Sequence, residues 1–168
     1  MENTLVNRVA ESGLITLKLE DFFPDAPVKK FDLKDFLFQG LMLREKDFRE
    51  SLKNHDWDQY RDCILLVVCS ADAIIPLWAY MLVAAYAQPI VKDQFFGAEK
   101  DYYQSYFTKV IATMDAERYR DERIVIKGCS DRPIPESAYL ALTAKLQPVA
   151  KSIFFGEPCS TVPIYKRK

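Results

Sequence analysis

The stretch whose reading decides the fold is Pro76–Gly97, PLWAYMLVAAYAQPIVKDQFFG, because it returns without a gap as Pro135–Gly156, PESAYLALTAKLQPVAKSIFFG. Ten of the 22 aligned positions are identical, among them Pro76/Pro135, Tyr80/Tyr139, Gln88/Gln147 and the closing Phe95-Phe96-Gly97/Phe154-Phe155-Gly156. Just upstream, after a one-residue slip near Gly128, Cys69-Ser70 lies over Cys129-Ser130, each closing a short apolar run. A repeat of this length is one supersecondary unit used twice, with neighbours burying each other's faces.

Working outward, each copy reads strand, loop, helix, strand. Cys63–Cys69 (CILLVVC) and Arg123–Ile126 (RIVI) are β-branched-rich runs of the kind buried on both faces of a parallel sheet. Pro76 and Pro135 suit a first helical turn, and the Gln-Pro pairs end the helices, since the residue before proline avoids the α region. Tyr139, Leu142 and Leu146 recur at helical spacing, with Glu136 and Lys145 placed for solvent. Further upstream, Glu45–Asn54 is an amphipathic helix built on Phe48 and Leu52, and Gln104–Met114 is its counterpart built on Phe107 and Ile111. Tyr60-Arg61-Asp62 and Tyr119-Arg120-Asp121 then lead into the paired strands, at a period of 59 residues.

The expected fold is therefore α/β: a single domain, residues 1–168, with a mostly parallel sheet built from a tandem helix–strand–helix–strand duplication. Residues 1–40 form an N-terminal segment outside the repeat, 41–98 repeat one, 99–156 repeat two and 157–168 a tail. Within the N-terminal segment Gly13–Glu20 alternates like a half-exposed strand, and Lys29–Leu43 adds a short strand or two.

At 168 residues the chain is long enough for a core without staples, and 49% apolar content is ordinary for a globular protein. A net charge of −1 argues against a nucleic-acid footprint, which needs a basic excess. The charges at Glu2, Arg8 and Glu11 argue against a secretory signal. Ala73–Val91 is uncharged, but its second copy carries Glu136 and Lys145 and its prolines leave too short a helix for a bilayer. It reads as a buried core helix, so no membrane association is expected. Four cysteines in this context point to a reducing cytoplasm and free thiols.

Cys69 and Cys129 should lie at the carboxyl ends of core strands, where open α/β sheets place their ligands. An approximate twofold between the copies would bring the two sulfurs together. Thiolates suit zinc, iron or an iron–sulfur cluster, although cysteine is also among the residues most often simply buried. Cys159, in Gly-Glu-Pro-Cys-Ser, and His55, the sole histidine, would complete a Cys3His metal set, but no Cys-x-x-Cys spacing supports it. A histidine near a helix C-terminus is more often a cap or dipole partner. The rival chemistry is a thiol-dependent enzyme with Cys129 as nucleophile and His55 as base. Cys63 faces Glu122 in the other copy and reads as structural. Tyr80/Tyr139 and Gln88/Gln147 also read as structural, the glutamines capping helix ends. No phosphate-cradling loop, dinucleotide fingerprint, zinc-protease motif or serine elbow is present.

The stretches Leu5–Leu17, Glu45–Trp57, Cys69–Tyr80 and Gln147–Tyr165 resemble an uncharacterised bacterial family, domain of unknown function 2480, over essentially the whole chain. The resemblance implies no assigned activity. It implies iron–sulfur cluster assembly proteins as partners, in the same direction as the thiolate reading. Three functions stay open at this point: a cytoplasmic thiolate metal-binding or iron–sulfur accessory protein, a thiol-dependent enzyme, and an interaction module without chemistry. A homodimer fits a sheet with an exposed edge.

Overall fold

A computed structural model describes residues 13–128, 130–157 and 160–168. In chain order its elements are β1 (Leu14–Leu17), β2 (Val28–Asp32), α1 (Glu45–Asn54), β3 (Ile64–Val68), α2 (Leu77–Ala87) and β4 (Asp93–Phe96). They continue with α3 (Glu99–Thr113), β5 (Arg123–Ile126), α4 (Glu136–Leu146), β6 (Ser152–Glu157) and β7 (Ser160–Lys166). The fold is α/β and its strands are mostly parallel, as the repeat implies. The strands are shared between two sheets, of order β2-β3-β4 and β1-β5-β6-β7. The described residues divide accordingly into two compact units, Pro24–Tyr102 and the residues up to Phe23 with Tyr103–Lys168.

Each sheet is built the same way. β3 pairs in parallel with β2 and β4, and β5 pairs in parallel with β1 and β6. The pairs Ile64↔Asp93 and Arg123↔Ser152 show the 59-residue period carried through the sheet register. The backbone repeats down to its unusual conformations. Asp62 and Asp121 are both left-handed, at φ 56° and 59°. Their amides donate to equivalent carbonyls, Ile90 at 3.1 Å and Val149 at 3.0 Å. Such φ values disfavour most residues but suit Asp, whose short polar side chain tolerates the region.

The first forty residues correct the reading that placed them outside the repeat. β1 followed by the 3-10 turn Leu19–Phe22 (LEDF) matches β2 followed by the turn Leu33–Phe36 (LKDF). Leu17 faces Ile126 just as Phe31 faces Val67. Each unit thus begins with its own strand and turn, and the whole of Pro24–Tyr102 is inserted between the first strand of the other unit and the rest of it.

The cores confirm the expected helical faces. Phe31, Leu33, Phe48, Leu52, Leu65, Val67 and Val83 form one cluster. Leu17, Leu19, Phe107, Ile111, Ile124, Ile126 and Leu142 form the other. Leu66 and Val125, which alternate to the opposite faces of β3 and β5, are also fully buried. One expectation fails in part. α2 is not a buried core helix: Ala79, Val83 and Ala87 are inside, but Leu77 and Met81 are 80% and 72% exposed.

The partition into inward and outward helix positions makes a direct test. Leu142→Ala should cost about 2–5 kcal/mol in urea unfolding, the range for a fully enclosed leucine. Leu140→Ala, two residues away and outward-facing, should stay within about 0.5 kcal/mol of wild type.

Candidate functional site

Ligands of parallel α/β sheets gather at the carboxyl ends of the strands, so the loops after β3 and β5 come first. In the inserted unit, β2 ends at Asp32, whose Oδ1 accepts the Ser70 amide at 3.0 Å and the Lys34 amide at 3.1 Å. Burial pushes this carboxyl up, but the hydrogen bonds from Ser70 and Lys34 outweigh it and hold it below the usual aspartate value. In the other unit Glu20 receives Lys127 Nζ at 3.1 Å. That bond, with help from the Ser130 hydroxyl and against desolvation, keeps Glu20 below the usual glutamate value. In both copies a carboxylate from the leading strand-and-turn segment therefore reaches the loop after the central strand, through the Ser70 amide in one and chiefly through Lys127 in the other.

Cys69 is partly buried against the first core, and its Sγ lies 3.5 Å from the Ala71 carbonyl, which it faces as donor. Burial, and then the neighbouring Cys69, raise the Tyr80 phenol above its ordinary pKa. The sheet register adds a qualification to the equivalence of the cysteines. Moved 59 residues along, Cys69 falls on Gly128 rather than Cys129. A Cβ built on Gly128 would lie 2.6 Å from the Phe155 ring, so that ring fills the space a side chain would need.

The other expected site residues are placed as follows. Cys129 and Cys159 lie outside the described residues. His55 caps the end of α1 and sits among aromatic rings: Trp57 at 5.1 Å, Phe31 at 5.3 Å, Tyr60 at 5.7 Å and Phe36 at 5.9 Å between centroids. Its Nε2 is buried without a hydrogen-bond partner. Desolvation lowers its pKa from 6.5, opposed by the charge of Asp56. Cys63 is fully buried in the same cluster, and burial pushes its thiol up, so it is the structural residue expected. Cys63 and Cys69 are free thiols. Among the described residues no three His, Cys, Asp or Glu side chains are grouped to hold a metal ion.

The feature that reading by motif missed is a groove on the helix-covered face of each sheet. In the outer unit it has a volume of about 610 Å3 and is lined by Ile126, Glu136, Tyr139, Leu140, Thr143, Ala144, Gln147, Phe155 and Ile164. In the inserted unit the corresponding space is about 190 Å3, lined by Val67, Tyr80, Ala84, Gln94, Phe95 and Phe96. Four positions correspond across the repeat: Val67/Ile126, Tyr80/Tyr139, Ala84/Thr143 and Phe96/Phe155. The repeated tyrosine and second phenylalanine meet edge to face in both, with ring centroids 5.3 Å and 5.9 Å apart. Repeated residues that read as structural are thus groove walls. Gln88 stands at the C-cap of α2, as Gln147 does at that of α4, and its Oε1 also accepts the Gln94 side-chain amide at 2.9 Å. The signal available in the sequence was the concentration of identities on Tyr, Gln and Phe-Phe-Gly.

The difference in size has a visible cause. β7 runs antiparallel along β6 and brings Ile164 to the larger groove. β4, the counterpart of β6, is an edge strand. Gly156 lets β7 come close to β6: its φ is 120°, and the Ser160 carbonyl lies 2.6 Å from where a Cβ would sit.

An α/β chain of two related parallel-sheet units, with an apolar groove beside α4, is the class that fold and site define. The chain belongs to the family described as Protein of unknown function (DUF2480), which it matches over residues 3–167. No curated protein and no solved structure matches it. Among the described residues no helix is long and apolar enough to cross a membrane.

His55 yields a pH prediction. The folded state resists protonating it while the unfolded chain titrates it at about 6.5, so unfolding takes up a proton as pH falls through that value. Stability should decline from about pH 6.5 down to the folded pKa and then flatten, as far as this group is concerned. The urea midpoint of His55→Phe should change less between pH 7.5 and 5.5 than that of the wild type. Equal slopes would remove His55 from the account.

Proposed function

We propose that this protein is a small-molecule binding module whose working site is the groove between α4 and the sheet of the outer unit. The observation that carries the reading is the size and lining of that groove. About 610 Å3 falls within the roughly 300–1,000 Å3 of small-molecule sites. Walls of Ile126, Leu140, Phe155 and Ile164 with polar groups of Glu136, Tyr139 and Gln147 have the usual mixture of apolar contact and a few orienting groups. The ligand class this favours is a compact, mostly apolar molecule with one uncharged or cationic hydrogen-bonding end, given the single carboxylate. No catalytic step is assigned to the groove. A reducing cytoplasm is the setting proposed, in keeping with its free thiols.

The reading predicts saturable binding of a neutral apolar dye, Nile red, at one site per chain. Thr143→Trp, which fills the groove, should weaken it at least tenfold. Ala84→Trp at the smaller counterpart should leave it unchanged. Absence of saturable binding, or binding indifferent to Thr143→Trp in a folded variant, would overturn the assignment.

A second reading keeps the thiolates. The observation favouring it is a leading-segment carboxylate, Asp32 on the Ser70 amide and Glu20 chiefly on Lys127, at the loop that carries each repeated cysteine. On this reading Cys69, Cys129 and Cys159, with His55, hold zinc, iron or an iron–sulfur cluster, and iron–sulfur assembly proteins are the partners. Thiolates are the right donors for such metals, and the neutral imidazole favoured by burial is the form that ligates. Anaerobic purification should then give stoichiometric metal, with acid-labile sulfide for a cluster, lost in Cys129→Ser. Metal-free wild-type protein would exclude it.

A further inference from the structure

We infer that the exposed face of α2 is a self-association surface, on which a second copy of this chain packs its own α2 across a twofold axis. The outward positions of α2 are Leu77, Met81, Ala85 and Gln88, spaced so that they form one stripe. Two large apolar side chains continue it: Ile74, 91% exposed in the preceding loop, and Phe96, 68% exposed at the end of β4. Tyr80 joins Phe96 to the helix through their edge-to-face contact. An exposed helix face normally carries charge. Here the whole stretch 73–91 has none.

The duplication supplies the comparison that identifies what is missing. In the outer unit the equivalent of Phe96 is Phe155, only 38% exposed, and the strand that bears it is flanked by β7. The inserted unit has no such strand, and β4 ends its sheet. One of the four outward positions changed in the direction expected of an interface. Glu136 in α4 stands where α2 has Leu77, while Leu140, Ala144 and Gln147 match Met81, Ala85 and Gln88. A twofold contact through α4 would set its Glu136 carboxylates near each other, whereas the α2 stripe meets its own copy without a like-charge penalty.

An uncharged face offers nothing for a charged partner to read, whereas a second copy brings a face uncharged over the same stretch, 73–91. Strand addition to β4 is the other way to cover this edge. The Gln94 amide is already held by the Asp93 carboxylate at 2.8 Å, which blunts that edge. The contact is therefore side chain against side chain. A patch of four large residues is smaller than the about 800 Å2 per partner of a standard interface, so a reversible dimer is expected, not an obligate one.

Sedimentation equilibrium of the full chain over about 1–300 μM spans the affinity range of small reversible interfaces. The average mass should rise from 19.4 kDa toward twice that value. Met81→Glu and Leu77→Glu should each shift the midpoint at least tenfold to higher concentration, with circular dichroism and urea midpoint confirming the fold. Leu140→Glu on α4 should leave the midpoint unchanged. A wild-type chain monomeric throughout, or association unaffected by Met81→Glu, or lost equally in Leu140→Glu, would overturn the inference. Nile red binding in the outer unit is read separately and should survive Met81→Glu, so the groove and the dimer stand or fall independently.

Discussion

The constraint on which the rest depends is that the middle strand of each sheet is apolar on both faces. Leu65 and Val67 point to one side of β3 and Leu66 to the other, and all are buried. Ile124, Ile126 and Val125 do the same in β5. A strand of this kind cannot sit at an edge or leave a face in water. It requires parallel neighbours on both sides, hence helical crossovers, and those crossovers cover one of its faces. α1 and α2 pack on the Leu65/Val67 side of β3, and α3 and α4 on the Ile124/Ile126 side of β5. Phe48 and Leu52 repeat as Phe107 and Ile111 for the same reason: each pair closes the same kind of sheet face.

With the core committed, divergence between the copies was free to act at the sheet edge. One copy acquired a seventh strand. β7 lies beyond the helix-covered sheet and raises a wall over the space beside α4, which becomes a groove about three times the volume of its counterpart. The other copy has no such strand and instead carries leucine, methionine and phenylalanine at its outward positions. A difference of topology at one edge thus accompanies a large groove in one unit and, in the other, a small groove beside an exposed apolar helix face. Concave apolar surfaces suit small ligands, and exposed apolar faces suit other proteins.

How much of this was legible depended on the length and strength of each signal. The strand–helix–strand pattern was plain because ten identities lie in one ungapped block, and the upstream helices followed from two apolar residues each at matching spacing. The leading strands were expected, but their place in the repeat was missed, because their shared signature is only LxDF and because one unit is inserted into the other. The two leading strands therefore follow one another by 14 residues, not by the 59 of the repeat. The outward face of α2 was misread because an uncharged helix and a buried helix look alike in sequence; only the sheet edge beside it shows which side lacks a cover. Groove residues were visible as identities but not as a site, since tyrosine, glutamine and phenylalanine serve packing as readily as binding.

The cysteines show where sequence symmetry stops being a structural argument. Aligned by sequence, Cys69 and Cys129 look like one position used twice. Aligned by strand pairing, the partner of Cys69 is Gly128, and Phe155 occupies the space where a side chain there would go. The extra residue after β5 is what separates the two alignments. Both loops do meet a carboxylate of the leading segment, but in different ways: Asp32 accepts the Ser70 amide at 3.0 Å, whereas Glu20 is held chiefly by Lys127 at 3.1 Å, with Ser130 a lesser influence. The thiolate reading therefore rests on the loops being held in place, not on an equivalence of sulfur atoms dictated by the repeat.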